Sequence, residues 1–501
     1  MNRKLQAIAA LFAACLLPLS LSGCDRELKE RIIDDKYDNY YEIFVYSFCD
    51  SDGNGVGDLN GVTEKLSYVR DMGYTGIWLM PISPSPSYHK YDVTDYMAID
   101  PLYGDMEAFE TLVESAHELD IKVMIDLVVN HTSSQHPWFQ QALSAAKQGR
   151  TDDPYYSYYH FSTTPQAGYA QSGDVYYEAR FYDGMPDLNL DSEAVRGEIS
   201  DILRFWLDKG VDGFRLDACT SYYTGDNEKS AAFAGWLQAE AEKYEPDCYI
   251  VGEVWSNSAV IETFYRGGAD SFFYFPASQA SGYVNQTLIS STPADYFFSA
   301  LEEMAKVSAE GIAVPFLGNH DTGRIAGVVG RKEDRVKFAY GLAGMLSGNL
   351  FTYYGDEIGM VGAATDPDKR IGMLWDNEQE FRIYPPGTTT REYEFDGVRQ
   401  QQEDGGSILN YYKKCNLLRN AFPSIMRGET ERIPYDAEDV LIMKKTWQGE
   451  SVCIVINFSQ EERAVARNWE GKLKAFLTVE GEVQKSGGEL RMPGYSIAVM
   501  A

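Results

Sequence analysis

Three carboxylates close apolar, strand-like runs. Asp217 ends Gly213-Phe214-Arg215-Leu216, Glu253 ends Tyr249-Ile250-Val251-Gly252, and Asp321 follows Phe316-Leu317-Gly318-Asn319-His320. Burying a charge without a partner or a task is costly, so three such placements point to chemistry rather than to three unrelated ion pairs. Their chain spacings correspond to about one and two βα units, which a closed barrel would bring to one mouth. Two carboxyls about 5–5.5 Å apart suit glycoside hydrolysis with retention, one attacking the anomeric carbon and the other protonating the leaving oxygen. Arg215, two residues before Asp217 and on the same strand face, keeps that carboxylate ionised. Glu253, among apolar neighbours and facing another carboxylate, is pushed toward the protonated form that a general acid needs. Asp321 could hold sugar hydroxyls while the ring distorts.

The elements that must position these groups alternate between strand and helix. Residues 41–48 read as a strand, Val62, Leu66 and Val69 as a helix face stopped by Gly73, and residues 76–81 as a second strand. Phe109, Leu112, Val113, Ala116 and Leu119 mark another helix, followed by a strand over 122–129. Near-continuous apolar strands imply a parallel sheet covered on both faces. After His131 about sixty residues rich in Ser, Gln, Gly, Pro and Tyr lack helical periodicity. The βα rhythm resumes with a helix over 192–209 and strands over 213–217, 249–255, 271–275, 313–318 and 350–354. The expected fold is α/β: a (β/α)8 TIM barrel over 39–131 and 191–420, a small domain inserted after strand 3 over 132–190, and a C-terminal antiparallel β-sandwich over 421–501.

Bulk composition narrows the partners. A net charge of −31, from 44 basic and 75 acidic residues, argues against nucleic acid and anionic surfaces and favours a neutral substrate. With 35 tyrosines among 13% aromatics, the chain has many flat rings with polar tips, which suit sugar faces. Arg3 and Lys4 precede an apolar run and then Leu21-Ser22-Gly23-Cys24, an export signal over residues 1–24 whose small residues before Cys24 resemble a bacterial lipoprotein processing site. Lipidated Cys24 and a charged tether over 25–38 would leave a monomer at the cell surface, reaching the membrane only through that anchor. The remaining Cys49, Cys219, Cys248, Cys415 and Cys453 form neither a disulfide framework nor a metal-thiolate motif.

The motifs, in order, are Asp126-Leu127-Val128-Val129-Asn130-His131, Met185-Pro186-Asp187-Leu188-Asn189, Gly213-Phe214-Arg215-Leu216-Asp217-Ala218, Gly252-Glu253-Val254-Trp255 and Phe316-Leu317-Gly318-Asn319-His320-Asp321. Together they resemble the α-amylase family of glycoside hydrolases over roughly residues 39–500. The resemblance implies Asp217 as nucleophile, Glu253 as acid/base and Asp321 as transition-state stabiliser. It also implies Tyr91 stacking under the reacting glucose, with Asp92, His131, Arg215 and His320 on its hydroxyls. Asp366 and Arg370 match family loops near the donor side, and Trp255 could stack on the +1 sugar. The substrate implied is an α-1,4-glucan such as starch or maltooligosaccharide. An α-1,6-glucosidase or transglycosylase of the same family, and a non-catalytic starch-binding lipoprotein, are the competing readings. Met185 to Asn189 resembles the intermediary group between amylases and oligosaccharidases.

Asp50-Ser51-Asp52-Gly53-Asn54-Gly55-Val56-Gly57-Asp58 offers hard oxygen ligands at alternate positions, which suits Ca²⁺. It is not an EF-hand, because Gly61 stands where the bidentate Glu belongs. The loop is similar to the calcium site of oligo-1,6-glucosidase-like and intermediary family members, which implies a structural ion on Asp50, Asp52, Asn54, the Val56 carbonyl and Asp58. Many α-amylases carry Lys-His shortly after the nucleophile. Here Cys219-Thr220-Ser221 follows Ala218, which speaks against their further calcium site.

Overall fold

The computed structural model describes residues 29–31, 33–379 and 381–501; the expected export signal over 1–24, with Cys24, lies outside the described residues. Eight short apolar runs form one parallel sheet: β1 (Asn39–Ile43), β2 (Gly76–Leu79), β3 (Lys122–Leu127), β4 (Gly213–Leu216), β5 (Tyr249–Gly252), β6 (Ser271–Phe273), β7 (Ile312–Val314) and β8 (Leu350–Tyr353). Their order is β7-β6-β5-β4-β3-β2-β1-β8, and a parallel bridge between Phe316 and Phe351 joins the two ends into the expected barrel. Large side chains fill its interior, among them Tyr40, Trp78, Met124, Tyr249, Phe273 and Phe351, so the barrel is a packed core and not a pore.

Helices cover the outside with their apolar stripes. Leu59–Asp71 is capped by Asp58, which accepts from Gly61 N, and it buries Leu59, Val62, Leu66 and Val69. Met106–Glu118 is capped by Asp105 and buries Phe109, Leu112, Val113 and Ala116. Each of the Leu, Val and Phe side chains contributes roughly 1.5–3 kcal/mol when fully buried.

Two local expectations need correction. Residues 41–48 are not one strand: β1 ends at Ile43 and Val45–Phe48 forms a helical turn. A continuous apolar run carries no period that separates the two conformations. The insertion also contains a helix, Pro137–Lys147, which His136 caps through its ring and which buries Phe139, Ala142 and Ala145. Its apolar positions keep the helical spacing, but the helix is a short one between Ser-, Gln-, Gly- and Tyr-rich stretches that carry none. Beyond it a three-stranded antiparallel sheet forms, in the order Phe161–Ser162, Val175–Glu178, Tyr169–Ser172.

Antiparallel strands dominate the C-terminal region. A five-stranded sheet ordered Glu429–Ile433, Val440–Trp447, Glu450–Asn457, Ser496–Met500, Leu473–Thr478 faces a three-stranded sheet of Arg463–Ala466, Glu489–Met492 and Gln484–Ser486. Ile442, Val455, Val465, Leu490, Met492 and Ala498 share the core between them.

Candidate active site

Register brings the first two carboxylates together. Leu216 of β4 pairs with Gly252 of β5, so the next residues, Asp217 and Glu253, leave adjacent strands side by side. Gly252 is required there because a Cβ would lie 2.5 Å from the Phe272 ring and 3.0 Å from Cys219 Sγ. Ala218 adopts φ +48, unusual for a residue with a side chain. In that turn its N–H donates to Glu253 Oε2 at 2.9 Å. Asp321 arrives on the long segment after β7, where Asn319 Oδ1 accepts from the Asp321 and Thr322 amides at 3.0 Å each.

One buried guanidinium joins the pair. Arg215 Nη1 donates to Asp217 Oδ1 at 2.7 Å and to Asp126 Oδ1 at 2.7 Å. Its Nη2 lies 2.8 Å from Glu253 Oε2, an ion-pair contact without hydrogen-bond alignment. The carboxyls of Asp217 and Glu253 therefore meet different terminal nitrogens of the same guanidinium. Burial pushes Glu253 above the ordinary carboxyl range. Arg215 opposes that rise, and the charges of Asp217 and Asp321 reinforce it. Burial likewise pushes Asp126 up to about 7, against the pull of Arg215.

Around Asp321 the field has the opposite sign. Burial would raise its pKa, but His320 and Arg370 hold it well below the usual range. His320 Nε2 is 3.0 Å from Asp321 Oδ2, and Arg370 Nη2 donates to Oδ1 at 2.7 Å. Burial works against a charge on His320, yet Asp321 and Glu42 push its pKa up to about 9. As an imidazolium it donates through Nδ1 to Glu42 at 2.6 Å and through Nε2 to Tyr91 Oη at 2.8 Å. The Tyr91 hydroxyl passes its own proton toward Asp126 Oδ2 at 3.1 Å, and the Tyr91 and His320 rings stack with centroids 5.5 Å apart.

These groups open on a cleft of about 360 Å³, the size of a small-ligand site. It presents to a neutral sugar the Asp217 and Asp321 carboxyl groups, the Glu253 carboxyl whose pKa burial raises, and an aromatic floor, which is the equipment for cutting a glycosidic bond. A family model for the α-amylase catalytic domain matches residues 42–428. The chain belongs to the α-amylase family of glycoside hydrolases. It is 38% identical over 450 residues to alpha-amylase 3 of Dictyoglomus thermophilum, covering 88% of each chain. Among solved structures it resembles Eubacterium rectale Amy13B, with a TM-score of 0.91 and 40% identity, covering 94% of this chain and 96% of that one. An alpha-amylase from H. orenii matches with a TM-score of 0.82 and 32% identity, covering 93% and 99%.

In this α-amylase-family enzyme, Tyr91, His131, Asp217, Glu253, Trp255, Asp321, Asp366 and Arg370 all line the cleft. Trp255 is half exposed and stacks on Phe275, while Asp366 sits at the rim paired with Lys369 at 2.9 Å. His131 is placed by a contact of 3.1 Å from Nε2 to the Tyr91 carbonyl. Arg215, His320 and Asp92 lie one layer behind the surface. Asp92 is buried and engages the hydroxyls of Ser85, at 2.7 Å, and Ser87.

Six lining residues lie outside the set expected from the sequence: Met185, Ala218, Thr220 and Ser221, beside the motifs already quoted, together with His89 and Phe181. His89 stands in the cleft wall, its Nδ1 accepting from Tyr91 N at 3.2 Å, and burial lowers its pKa. Phe181 projects from the inserted domain, half exposed, with its ring 5.1 Å from His131. Nothing in its neighbourhood distinguishes Phe181 from the other aromatics of that segment. His89, two residues before Tyr91, could have been found from its place in a motif already in view.

In the loop after β1, carboxylate oxygens of Asp50, Asp52 and Asp58 lie within 4.8 Å of one another. Asp50 Oδ1 accepts from Gly53 N at 2.8 Å, Asn54 Oδ1 accepts from Val56 N at 2.8 Å, and Asp58 accepts from Ser51 N at 2.8 Å. Three converging acidic groups in a set of hard oxygen donors fit a divalent cation of the calcium type.

Proposed function

We propose that this enzyme hydrolyses α-1,4-glucosidic bonds in starch, maltodextrin or maltooligosaccharides with retention, using Asp217 as nucleophile and Glu253 as general acid/base. The observation that supports it most is the single Arg215 guanidinium touching both carboxylates. Both carboxylates thus face one cation at one cleft, an arrangement that supports attack by one and proton donation by the other across a single bond. An Asp217 oxygen attacks the anomeric carbon while the glycosidic C–O bond breaks, and Glu253 gives its proton to the departing oxygen. The resulting glycosyl ester on Asp217 is cleaved by a water whose proton returns to Glu253. Two inversions leave the α-configuration. Asp321, held ionised by His320 and Arg370, would bind ring hydroxyls as positive charge develops. Tyr91 would stack beneath the sugar, and Trp255 would take the leaving side.

Asp50, Asp52, Asn54, the Val56 carbonyl and Asp58 would hold a structural Ca²⁺, cross-linking the loop to the helix that Asp58 caps. The leader ending at Cys24 supports an exported, lipid-anchored form with its catalytic domain outside the cell. Proton NMR of fresh products from maltoheptaose tests the mechanism: α-anomers are expected first, and initial β-anomers would overturn it. Product chromatography tests the linkage. Isomaltose cut far faster than maltotriose, or longer oligomers only, would move the enzyme to α-1,6 cleavage or glycosyl transfer.

A further inference from the structure

We propose that the enzyme stands on a lipid bilayer with the floor of its barrel toward the membrane and its catalytic mouth away from it, residues 29–31 and 33–38 acting as a docked strut. This rests on the lipid-anchor reading of Cys24. The floor is the end at which the barrel strands begin, and the short charged segment before β1 is fastened along it. Glu30 takes both terminal nitrogens of Arg70 at 2.9 and 2.7 Å, at the last turn of helix Leu59–Asp71. Asp35 takes Nε and Nη2 of Arg427 at 2.8 and 2.7 Å. Lys36 Nζ donates to Asp270 at 2.8 Å, immediately before β6, and its carbonyl accepts from Asn349 Nδ2 at 2.8 Å, immediately before β8. Arg31 N donates to the Asn420 carbonyl at 3.2 Å.

A free charged linker would let the body tumble about its anchor. Two bidentate pairs and backbone contacts spread over four elements instead fix where the chain leaves the body, because forked arginine–carboxylate geometry is directional. From Cys24 to Lys29 the chain can reach at most about 18 Å, so the floor stays that close to the acylated residue. The carboxylates open at the other end, beyond flanking helices that run about 20 Å or more at 1.5 Å per residue. With a net charge of −31, the body is repelled by anionic headgroups rather than laid down on them. Orientation must therefore come from the strut. A long neutral glucan then meets the cleft from the solvent side.

The test uses the mature acylated chain, beginning at Cys24, in phosphatidylethanolamine–phosphatidylglycerol vesicles that carry a headgroup energy acceptor. A donor dye is placed on a non-natural residue at exposed Glu310, before β7 on the floor, or at exposed Gln166 in the inserted domain on the mouth side. Transfer is expected to be several-fold stronger from position 310. The double variant Arg70→Ala with Arg427→Ala should narrow that difference while turnover of maltoheptaose stays unchanged. Equal transfer from both positions, or stronger transfer from 166, would overturn the orientation, and an unaltered difference in the double variant would overturn the strut. A mature chain shown by mass spectrometry to carry no acyl groups removes the anchor and the orientation together, whereas an acylated chain with equal transfer removes the orientation alone.

Discussion

Arg215 Nη2 lies 2.8 Å from Glu253 Oε2, so the group proposed to donate a proton sits beside a permanent cation that opposes its protonation. Burial and the charge of Asp217 outweigh that opposition and keep the Glu253 pKa raised. Activity should fall as pH rises through that value, because only the protonated carboxyl can serve the leaving oxygen. Arg215→Lys keeps one charge but loses the planar fork that reaches both carboxylates. Its alkaline limb in kcat/KM should move to higher pH, and kcat should fall about 10²-fold or more. An alkaline limb left in place or moved lower would contradict this coupling.

Glu253→Gln should lower kcat on maltoheptaose by about 10²–10⁴-fold, the range for a positioned acid/base. On an α-maltosyl fluoride, whose leaving group needs no proton, the first step should be nearly spared and a glycosyl-enzyme should accumulate in the mass spectrum. Asp217→Asn should lose both substrates. Wild-type turnover in Glu253→Gln would remove Glu253 from the acid/base role, and no turnover of maltoheptaose by the wild-type enzyme would favour a sugar-binding role without catalysis.

How much of this was readable beforehand depended on burial. A carboxylate at the end of an apolar run is conspicuous because the cost of hiding it demands a reason, and Asp217, Glu253 and Asp321 stood out for that cause. The barrel was readable because each strand is a dense apolar run between helical stripes. Helix Pro137–Lys147 was not, since its single short stripe of Phe139, Ala142 and Ala145 is flanked by polar, irregular segments. Nor was the turn at Val45–Phe48, where apolar residues on every side erase the period. Asp92 shows another limit: a motif places a residue in sequence, while its exposure depends on Ser85 and Ser87, which wrap its carboxylate.

The charge on His320 makes stability depend on pH. Its folded pKa, pushed up to about 9, exceeds the value of about 6.5 for an unfolded histidine. Its contribution is therefore complete below about pH 6.5 and is lost as pH rises through about 9. Wild-type Tm should decline over that window, and His320→Asn, which cannot titrate, should decline less. Parallel slopes would mean that the pairs with Glu42 and Asp321 do not depend on the imidazolium.

A cation in the loop after β1 should appear as ligand-linked stability. At a free concentration of 100 times Kd a bound ion adds about 2.7 kcal/mol. Chelation by EDTA should lower Tm by a few degrees, Ca²⁺ should restore it, and Asp50→Ala with Asp52→Ala should abolish the response. An unchanged Tm at saturating chelator would speak against the site.

Lys90 links fold to site most directly. Its backbone lies at φ +64, its N–H donates to Ser87 Oγ at 3.1 Å, and its buried ammonium sits 2.6 Å from Asp100 Oδ2 and 5.0 Å above the Tyr103 ring. The strained turn delivers Tyr91, the next residue, to its place against His320. Lys90→Met keeps the length of the side chain and its backbone requirement but strands the Asp100 carboxylate, a loss of about 3–5 kcal/mol for a buried pair broken from one side. Adding Asp100→Asn removes the stranded charge and should recover part of that loss, because the two residues share one interaction. Calorimetry of the two single variants and the double closes the cycle. If kcat/KM also falls in Lys90→Met and partly returns in the double variant, the pair positions Tyr91 as well as stabilising the loop. Additive losses in Tm would show that the ammonium and the carboxylate contribute independently.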